Sequence, residues 1–265
     1  MESRGSRIAL GVWVALVLAF LYIPIGVICL YAFNESNVQS WPIAGFTTKW
    51  FSPAIHNPDV RKAIWLSLEC AAVATAIALA LGSLAAFGVH RFRFFGREMI
   101  SFLLVLPIAL PGIITGMALS SYFTFWGINL SFWTIVIGHA TFCVVVVYNN
   151  VLARLRRVPG SLTEASMDLG ADGWQTFRHI TLPSISTALI SGGLLAFALS
   201  FDEVIVTTFT AGAQNTLPIW IFGQIRLGQE LPQVNVVVFL ILALTIVPVA
   251  LAQRLTRESG ILRTE

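Results

Sequence analysis

The feature that most constrains the fold is a run of 55 residues, 99–153, that contains no Asp, Glu, Lys or Arg. As one helix this run would be about 82 Å long at 1.5 Å per residue, whereas the hydrocarbon core of a bilayer is about 30 Å thick. Two consecutive crossings fit that length, and Gly127 and Asn129 interrupt the apolar pattern where a turn between them is needed. The run therefore predicts a membrane protein with two adjacent spans in this part of the chain.

The composition agrees with a membrane location. Hydrophobic residues make up 57% of the 265 residues and charged residues only 11%, where soluble domains average roughly 25% charged residues. The net charge of +3 is small and the basic residues form short clusters, so we do not expect a nucleic-acid partner. Each of the three cysteines lies in an apolar run, which predicts neither a disulfide framework nor a cysteine metal site.

Further charge-poor segments complete a set of six predicted spans. The six are residues 8–34, residues 70–89 with a start near Ala63, the two spans within 99–153, residues 180–201 entered at Pro183, and residues 231–253. Residues 204–225 also lack formal charges, but polar residues and Pro218 divide them into short pieces. Because irregular backbone at membrane depth must be buried in protein or line a cavity, we expect a re-entrant or interfacial segment there rather than a seventh span.

The basic residues orient the chain. With the N-terminus in the cytoplasm, six spans leave 12 of the 16 Lys and Arg residues inside and 4 outside, whereas a seventh span gives 10 inside and 6 outside. Cytoplasmic loops carry the excess of Lys and Arg, so six spans with both termini in the cytoplasm are favoured. The first apolar run exceeds the roughly 7–15 residues of a signal-peptide core, and we expect it to be retained as an anchor.

The loop between the fourth and fifth spans is long and patterned. Ser161 and Glu164 have the spacing of a capping box that starts a helix, and Gly170 is suited to the left-handed conformation that ends one. Asp172 and Gln175 repeat the capping signal and predict a second short helix through Ile180. The helix–turn–helix carries more apolar residues than a solvated loop can hide, so they either pack on the protein's own spans or face a partner; they are Leu162, Ala165, Met167, Leu169, Trp174, Phe177 and Ile180.

Residues in this loop resemble a known motif. The sequence Glu164-Ala165-Ser166, followed by Gly170 and by Ile180-Thr181-Leu182-Pro183, resembles the EAA motif of permeases in binding-protein-dependent ABC importers, with Ser166 in place of an alanine. Residues 33–51, 200–209 and 217–220 are similar to the spermidine/putrescine branch of these permeases. We call residues 161–182 the EAA element.

The resemblance implies a fold and a domain organisation. The fold is an all-α membrane protein with six transmembrane helices, a type I (MetI-like) ABC importer permease with a cytoplasmic coupling helix–turn–helix. Residues 1–62 would form an anchor helix and a periplasmic loop, 63–254 the importer transmembrane domain, and 255–265 a cytoplasmic tail. Six residues would couple the permease to an ATPase: Glu164, Ala165, Ser166, Gly170, Leu182 and Pro183.

The resemblance also implies a function and partners. The chain would be a permease subunit in the bacterial inner membrane for a small cationic solute, with putrescine or spermidine as the cargo, and would hold no catalytic residue, metal or cofactor. It lacks the G-x-x-x-x-G-K-[ST] loop that cradles ATP phosphates, so a pair of separate ATP-binding subunits would bind the nucleotide. A second homologous permease and an external solute-binding protein, periplasmic or extracellular, would complete the importer.

Four residues are candidates for the solute pathway. Asp202 and Glu203 would present negative charge to a cation, or would be solvated at the outer interface or paired with Arg226. Trp50 could hold an amine by a cation–π contact or be an interfacial belt residue. Pro111, with Pro107, interrupts the third span, either for the pathway or for helix packing. We expect His139 to hydrogen-bond to a neighbouring helix.

Other functions remain as alternatives. Gly112 stands where polyamine permeases tend to have an acid, so another small amine or an amino-acid-like solute is an alternative cargo. An ion-gradient-driven secondary transporter of small amines would need inverted repeats and ionisable residues near mid-membrane, of which Asp202 and Glu203 are the main candidates. A membrane enzyme is the weakest alternative, because the sequence has no HExxH or GxSxG motif.

Overall fold

The computed structural model describes residues 4–245, and this part of the chain is helical with no β-strand. The helices are α1 (Arg4–Tyr31), α2 (Phe51–His56), α3 (Pro58–Arg91), α4 (Arg97–Ala109), α5 (Gly112–Phe125), α6 (Phe132–Leu155), α7 (Gly160–Asp168), α8 (Gly173–Thr176), α9 (Leu182–Phe201), α10 (Ile205–Thr210), α11 (Leu217–Leu227) and α12 (Leu231–Thr245). A π-helical turn, Phe177–Thr181, joins α8 to α9.

Four helices among the described residues are long and apolar enough to cross a membrane: α1, α3, α6 and the continuous helix Gly173–Phe201. The pair α4 and α5 makes a fifth if it is taken as one broken span. Helix α12 starts at the first residue of the predicted sixth span and is apolar, but its described part is shorter than a membrane span. Residues 246–253 and the predicted tail 255–265 lie outside the described residues.

The third predicted span is broken rather than straight. Helices α4 and α5 meet at an angle of 103°, with Pro107 inside α4 and Pro111 at the N-cap of α5. Proline has no N–H to donate to the helix ladder, so the break falls where the sequence indicated it. The turn predicted after this span is confirmed, since α5 ends at Phe125 and Gly127 has a φ of +64°.

Residues 204–225 contain no seventh span. They form the 6-residue helix α10 and most of the 11-residue helix α11, both too short to cross a bilayer. Helix α10 packs closely on two others: Phe209 lies against Gly116 of α5, and Val206 against Gly138 of α6. The Thr134 hydroxyl of α6 donates to the carbonyl of Thr210 at 2.7 Å. These contacts hold a helix that is too short to be stable alone.

The chain divides into two compact units, and the first comprises residues 62–220. Its core lies between α3, α6 and α9, where Ala78, Val147 and Ile185 are fully buried. Gly82 allows α3 to approach the backbone of α6, because a Cβ there would stand 2.8 Å from the Val144 carbonyl oxygen. The Tyr148 hydroxyl of α6 donates to Ser101 Oγ of α4 at 2.9 Å.

The second unit comprises residues 1–61 and 221–265, of which the structure describes 4–61 and 221–245. Phe33, Phe51 and Phe239 form an aromatic cluster in it, with ring centroids 5.1–6.0 Å apart. The Asn57 amide donates to side-chain oxygens of Glu230 and Gln233, both at 3.2 Å. These contacts join the segment after α1 to α12 and the turn before it.

Candidate functional site

The EAA element begins with α7, which starts two residues earlier than the predicted capping box at Ser161 requires. Pro159 occupies the N-cap position and α7 starts at Gly160, with no side-chain capping bond. The predicted capping box between Ser161 and Glu164 is therefore wrong. Proline already holds φ near the helical value, here −63°, so the helix starts before Ser161 and places that residue inside the first turn.

The turn after α7 has the predicted left-handed glycine. Gly170 has a φ of +84°, and its N–H donates to the Met167 carbonyl at 2.9 Å while the Ala171 N–H donates to the Ser166 carbonyl at 3.0 Å. This pair of bonds is a Schellman motif, which satisfies carbonyl groups at the helix end. A residue with a side chain would be strained at this φ, so the turn depends on glycine.

The second capping box is confirmed. Asp172 Oδ1 accepts a hydrogen bond from the Gln175 N–H at 2.7 Å, and Gln175 Oε1 accepts one from the Asp172 N–H at 3.0 Å. The helix that follows differs from the prediction, because it does not stop at Ile180: α8, the π turn and α9 form one continuous helix, Gly173–Phe201. Pro183 cannot bond to the His179 carbonyl and its ring would clash there, and the wider π turn accommodates it.

A pair of buried hydroxyls joins α7 to α8. Ser166 Oγ lies 2.9 Å from Thr176 Oγ1 and 2.8 Å from the Thr163 carbonyl oxygen. Since the single Ser166 hydroxyl proton goes to Thr163, Thr176 donates to Ser166. In the sequence analysis Ser166 is only a small residue in place of an alanine. Its hydrogen bond to Thr176 depends on the packing of α7 against α8, which the sequence does not show.

The EAA element has an inner and an outer apolar surface. On the inner side the Phe177 ring packs 5.5 Å from Phe87 of α3. On the outer side Leu169 is 89% exposed and Trp174 is 67% exposed. Leu182 and Pro183, at the start of α9, are also exposed, as are Glu164 and Ala165. One face of the element therefore packs on the protein itself, as the first of the two sequence alternatives requires, and the other face is open.

The two candidate acids have different surroundings. Helix α9 ends at Phe201, and the following Asp202 is exposed. Glu203 is half-buried, and its Oε1 accepts a hydrogen bond from the Val206 N–H at 2.9 Å. This bond caps the first turn of α10, so Glu203 has a structural role and Asp202 alone of the two presents an open carboxylate.

His139 of α6 hydrogen-bonds to neighbouring helices, as expected, and links three of them. Its Nε2 lies 2.8 Å from Thr207 Oγ1 of α10 and its Nδ1 lies 2.7 Å from Ser200 Oγ of α9. The Thr207 hydroxyl donates to the Glu203 carbonyl at 2.7 Å, so it accepts from Nε2–H, and Ser200 donates to Nδ1. This network anchors the chain on both sides of Asp202.

Trp50 and Pro111 lie in different compact units. The Trp50 indole N–H donates to the Asn34 carbonyl at 3.0 Å, and Lys49 Nζ lies 4.8 Å from the centre of its ring. The ring therefore already makes a cation–π contact, with the chain's own lysine. Pro111 is exposed at the break between α4 and α5, and the next residue, Gly112, faces Ile205 of α10.

The sequence matches a known protein family and is similar to named transport proteins. Residues 78–258 match the family described as "Binding-protein-dependent transport system inner membrane component". The spermidine/putrescine transport system permease protein PotC of Escherichia coli (strain K12) is 34% identical over 255 residues, covering 96% of each chain. The putrescine transport system permease protein PotI of the same organism is 38% identical over 232 residues, covering 84% of this chain and 82% of the relative.

A solved structure supports the fold. A chain from a bacterial ABC transporter involved in the import of the acidic polysaccharide alginate has a TM-score of 0.68 with this protein at 16% identity, covering 97% of this chain and 98% of that one. The described residues are helical and share their fold with that chain, and the family match shows that this is the fold of an inner membrane component of a binding-protein-dependent transport system. These similar proteins are transport components and not enzymes.

Proposed function

This chain belongs to the family of inner membrane components of binding-protein-dependent transport systems, and we propose that it is a six-span polyamine permease of an ABC importer. Both termini and the EAA element lie in the cytoplasm in this proposal. The proposed sixth span is residues 231–253, of which the structure describes α12. The cargo is putrescine or spermidine, because relatives at 34% and 38% identity carry those cargoes in their names.

The outer face of the EAA element is the observation that carries the coupling role. Leu169 and Trp174 are large, apolar and exposed beside the Gly170 turn. Exposed apolar groups of this kind indicate a protein interface, and the chain has no phosphate-binding loop of its own. We therefore assign this face to a separate ATP-binding subunit, which would be present as a pair. Glu164, Ala165, Ser166, Gly170, Leu182 and Pro183 support the contact.

The rest of the importer follows from the same proposal. A second homologous permease completes the pathway, and an external solute-binding protein delivers the cargo. On this chain Asp202 attracts the cation, Glu203 holds α10 in position beside it, and the break at Pro111 lies against the start of α10. Trp50 contributes an aromatic face that already accommodates an ammonium group, that of Lys49.

The test is transport by the assembled complex in proteoliposomes, with labelled putrescine and spermidine outside and ATP inside. We expect uptake that requires ATP, and we expect Leu169→Asp to abolish it while the permease still inserts in the membrane. Ile128→Asp is the matched control, since Ile128 is an exposed apolar residue in the turn between α5 and α6. Normal ATP-driven uptake by Leu169→Asp would refute the coupling role.

The cargo is tested separately in the same assay. Uptake of sulfate or of a neutral amino acid in place of polyamines would refute the polyamine assignment and leave the coupling role intact. Uptake by this chain alone, driven by a proton or sodium gradient without ATP, would refute the ABC importer assignment and support the secondary transporter.

A further inference from the structure

A long apolar groove runs between α3 and α9, within the unit of residues 62–220. Its volume is about 1060 Å³, and its walls include Leu79 and Leu84 of α3 and Ile190, Leu194 and Phe197 of α9. The groove opens to the side, because Leu84 and Leu194 are 69% and 67% exposed. Two helices that pack closely elsewhere on α6 therefore leave a channel between them at the protein surface.

The groove is elongated along the helices. On α3 it extends from Thr75 to Arg91, a distance of about 24 Å at 1.5 Å per residue. That is most of the ~30 Å hydrocarbon core of a bilayer. An occupant that fills the groove must therefore be long and apolar over most of its length.

One end of the groove is basic. Arg91, Phe87 and Phe177 line the groove and also line an adjoining recess of about 750 Å³. His90 and Arg93 line the same recess. The recess lies behind the EAA element, because residues of α7 form its other wall.

The charge in this recess is predominantly positive. Glu164 of α7 is the one acid among the described residues that line it, together with Arg91 and Arg93. Arg97 and Arg156 lie close enough to act electrostatically on the His90 ring. The occupant of this end must therefore bring negative charge, whereas the occupant of the groove must be apolar.

We propose that the groove and the recess bind one phospholipid with an anionic headgroup. An acyl chain lies between α3 and α9, and the phosphate lies at Arg91 and Arg93. A wholly apolar transmembrane helix from a partner would fill the apolar part but leave the arginines without a counter-charge, whereas an anionic lipid supplies both parts in one molecule. Basic pockets between transmembrane helices are a known type of lipid headgroup site.

The position of the site gives the lipid an effect on the EAA element. The proposed phosphate position adjoins Glu164 and Met167 of α7 and Phe177 of the π turn. A bound phosphate would offset the repulsion among the basic residues behind α7, and its charge would also act on the adjoining Glu164 carboxylate, so occupancy of the site is coupled to the position of that helix. The inference rests on the membrane location of the chain and not on its cargo.

The test uses the full chain in nanodiscs of mixed phosphatidylglycerol and phosphatidylcholine, with retained lipid measured by native mass spectrometry after transfer to detergent. We expect the wild type to retain phosphatidylglycerol selectively. Because each basic residue contributes substantially to anionic lipid binding, the double variant Arg91→Gln/Arg93→Gln should retain about tenfold less. Arg4→Gln/Arg7→Gln is the matched control, since it removes two exposed arginines outside the groove.

The apolar part is tested by a second pair of variants. Ala80 lines the groove, and Ala76 lies one turn away on α3, exposed but outside the groove. We expect Ala80→Trp to lower retained phosphatidylglycerol and Ala76→Trp to leave it unchanged. Glycerophosphoglycerol, which has the headgroup without acyl chains, should not displace the lipid.

Three results would overturn the proposal. The first is equal retention of both lipids by the wild type, and the second is displacement of the lipid by glycerophosphoglycerol, which would indicate a site for a free anion. The third is an Ala80→Trp variant that retains as much phosphatidylglycerol as the wild type but no longer co-purifies with a second permease chain. That result would indicate that the groove is a protein interface. The assay needs neither ATP nor polyamine, so its failure is distinguishable from failure of the transport proposal.

Discussion

Ser166 Oγ and Thr176 Oγ1 lie 2.9 Å apart and form a buried hydrogen bond between α7 and the helix that continues into α9. The bond joins two residues that are ten positions apart in the sequence, on either side of the Gly170 turn. The Ser166 hydroxyl also donates to the Thr163 carbonyl, so the hydrogen-bond chain runs from α7 through Ser166 to Thr176. We infer that α7 and the start of the long helix move together when a partner contacts Leu169 or Trp174.

Removal of this bond should loosen the EAA element. Ser166→Ala leaves the buried Thr176 hydroxyl without its acceptor, and an unsatisfied buried donor costs about 1–3 kcal/mol. We expect faster hydrogen exchange of the backbone amides of residues 163–176 and lower uptake. Ser166→Ala/Thr176→Val removes both hydroxyls and should recover part of the protection. If Ser166→Ala exchanges at the wild-type rate, the bond does not stabilise the element.

We expect position 170 to require glycine because of its backbone conformation, and not because a side chain would clash there. A Cβ at Gly170 would meet no atom within 4 Å, yet its φ is +84°, and a left-handed L-residue costs roughly 1–2 kcal/mol. Gly170→Ala should reduce polyamine uptake per ATP hydrolysed, and Gly170→Asn should reduce it less, because asparagine tolerates this conformation.

Gly173 provides the control for that comparison. It also has open space around its Cβ position, but it has no positive φ. Gly173→Ala should therefore transport normally. Equal defects in Gly170→Ala and Gly173→Ala would show that surface contact, and not backbone conformation, explains the need for glycine.

The sequence was informative where a structural signal is local. Runs without charge predicted the long helices, Gly170 predicted its own turn, and the spacing of Asp172 and Gln175 predicted a capping box that the structure contains. Each of these depends on residues a few positions apart. The same local reasoning failed at Ser161. Both Pro159 and the Ser161/Glu164 spacing are helix-start signals, and the sequence does not show which of them sets the first residue of α7; in the structure it is Pro159.

Features that depend on distant residues were not predictable in this way. The prolines indicated a break in the third span, but the angle of 103° depends on packing beyond the break. Helix α10 has 6 residues, too few to show a hydrophobic period, and it is held by Thr134 and His139 from another helix. The bond between Ser166 and Thr176 likewise requires knowledge of which helices are neighbours.

The two adjacent acids should respond differently to neutralisation. Asp202→Asn removes an exposed charge, and we expect a several-fold loss of polyamine uptake with unchanged assembly. Glu203→Gln keeps an oxygen that can accept the Val206 N–H bond, and we expect a smaller loss. The measurement is initial uptake rate at low polyamine concentration and at low ionic strength, where charge attraction is least screened.

Glu98→Gln is the control for these variants, since Glu98 is exposed in the first turn of α4. The pathway assignment fails if Asp202→Asn transports as well as Glu98→Gln. A larger defect in Glu203→Gln than in Asp202→Asn would reverse the roles given to the two acids.

Two glycines on α5 should differ in their tolerance of alanine. A Cβ at Gly116 would lie 2.7 Å from Phe209 Cδ2, whereas one at Gly112 would lie 3.6 Å from Ile205 Cγ2, an ordinary contact. Gly116→Ala must displace the Phe209 ring and should destabilise the protein by about 1–3 kcal/mol. Gly112→Ala should be nearly neutral. Thermal unfolding in detergent measures both, and equal melting temperatures would contradict the packing of α10 on α5.

The continuity of the helix Gly173–Phe201 has a mechanical consequence. Its 29 residues form a rod about 44 Å long at 1.5 Å per residue, with Trp174 near one end and Asp202 just beyond the other. Ile185 and Ala196 of the rod are both buried in the core against α6, so the rod is held along its length and not at a single point. Ser200 and Thr207, on the two sides of Asp202, are both bonded to His139 of α6, so we expect a displacement at Trp174 to reach the carboxylate of Asp202 only if α6 moves with the rod.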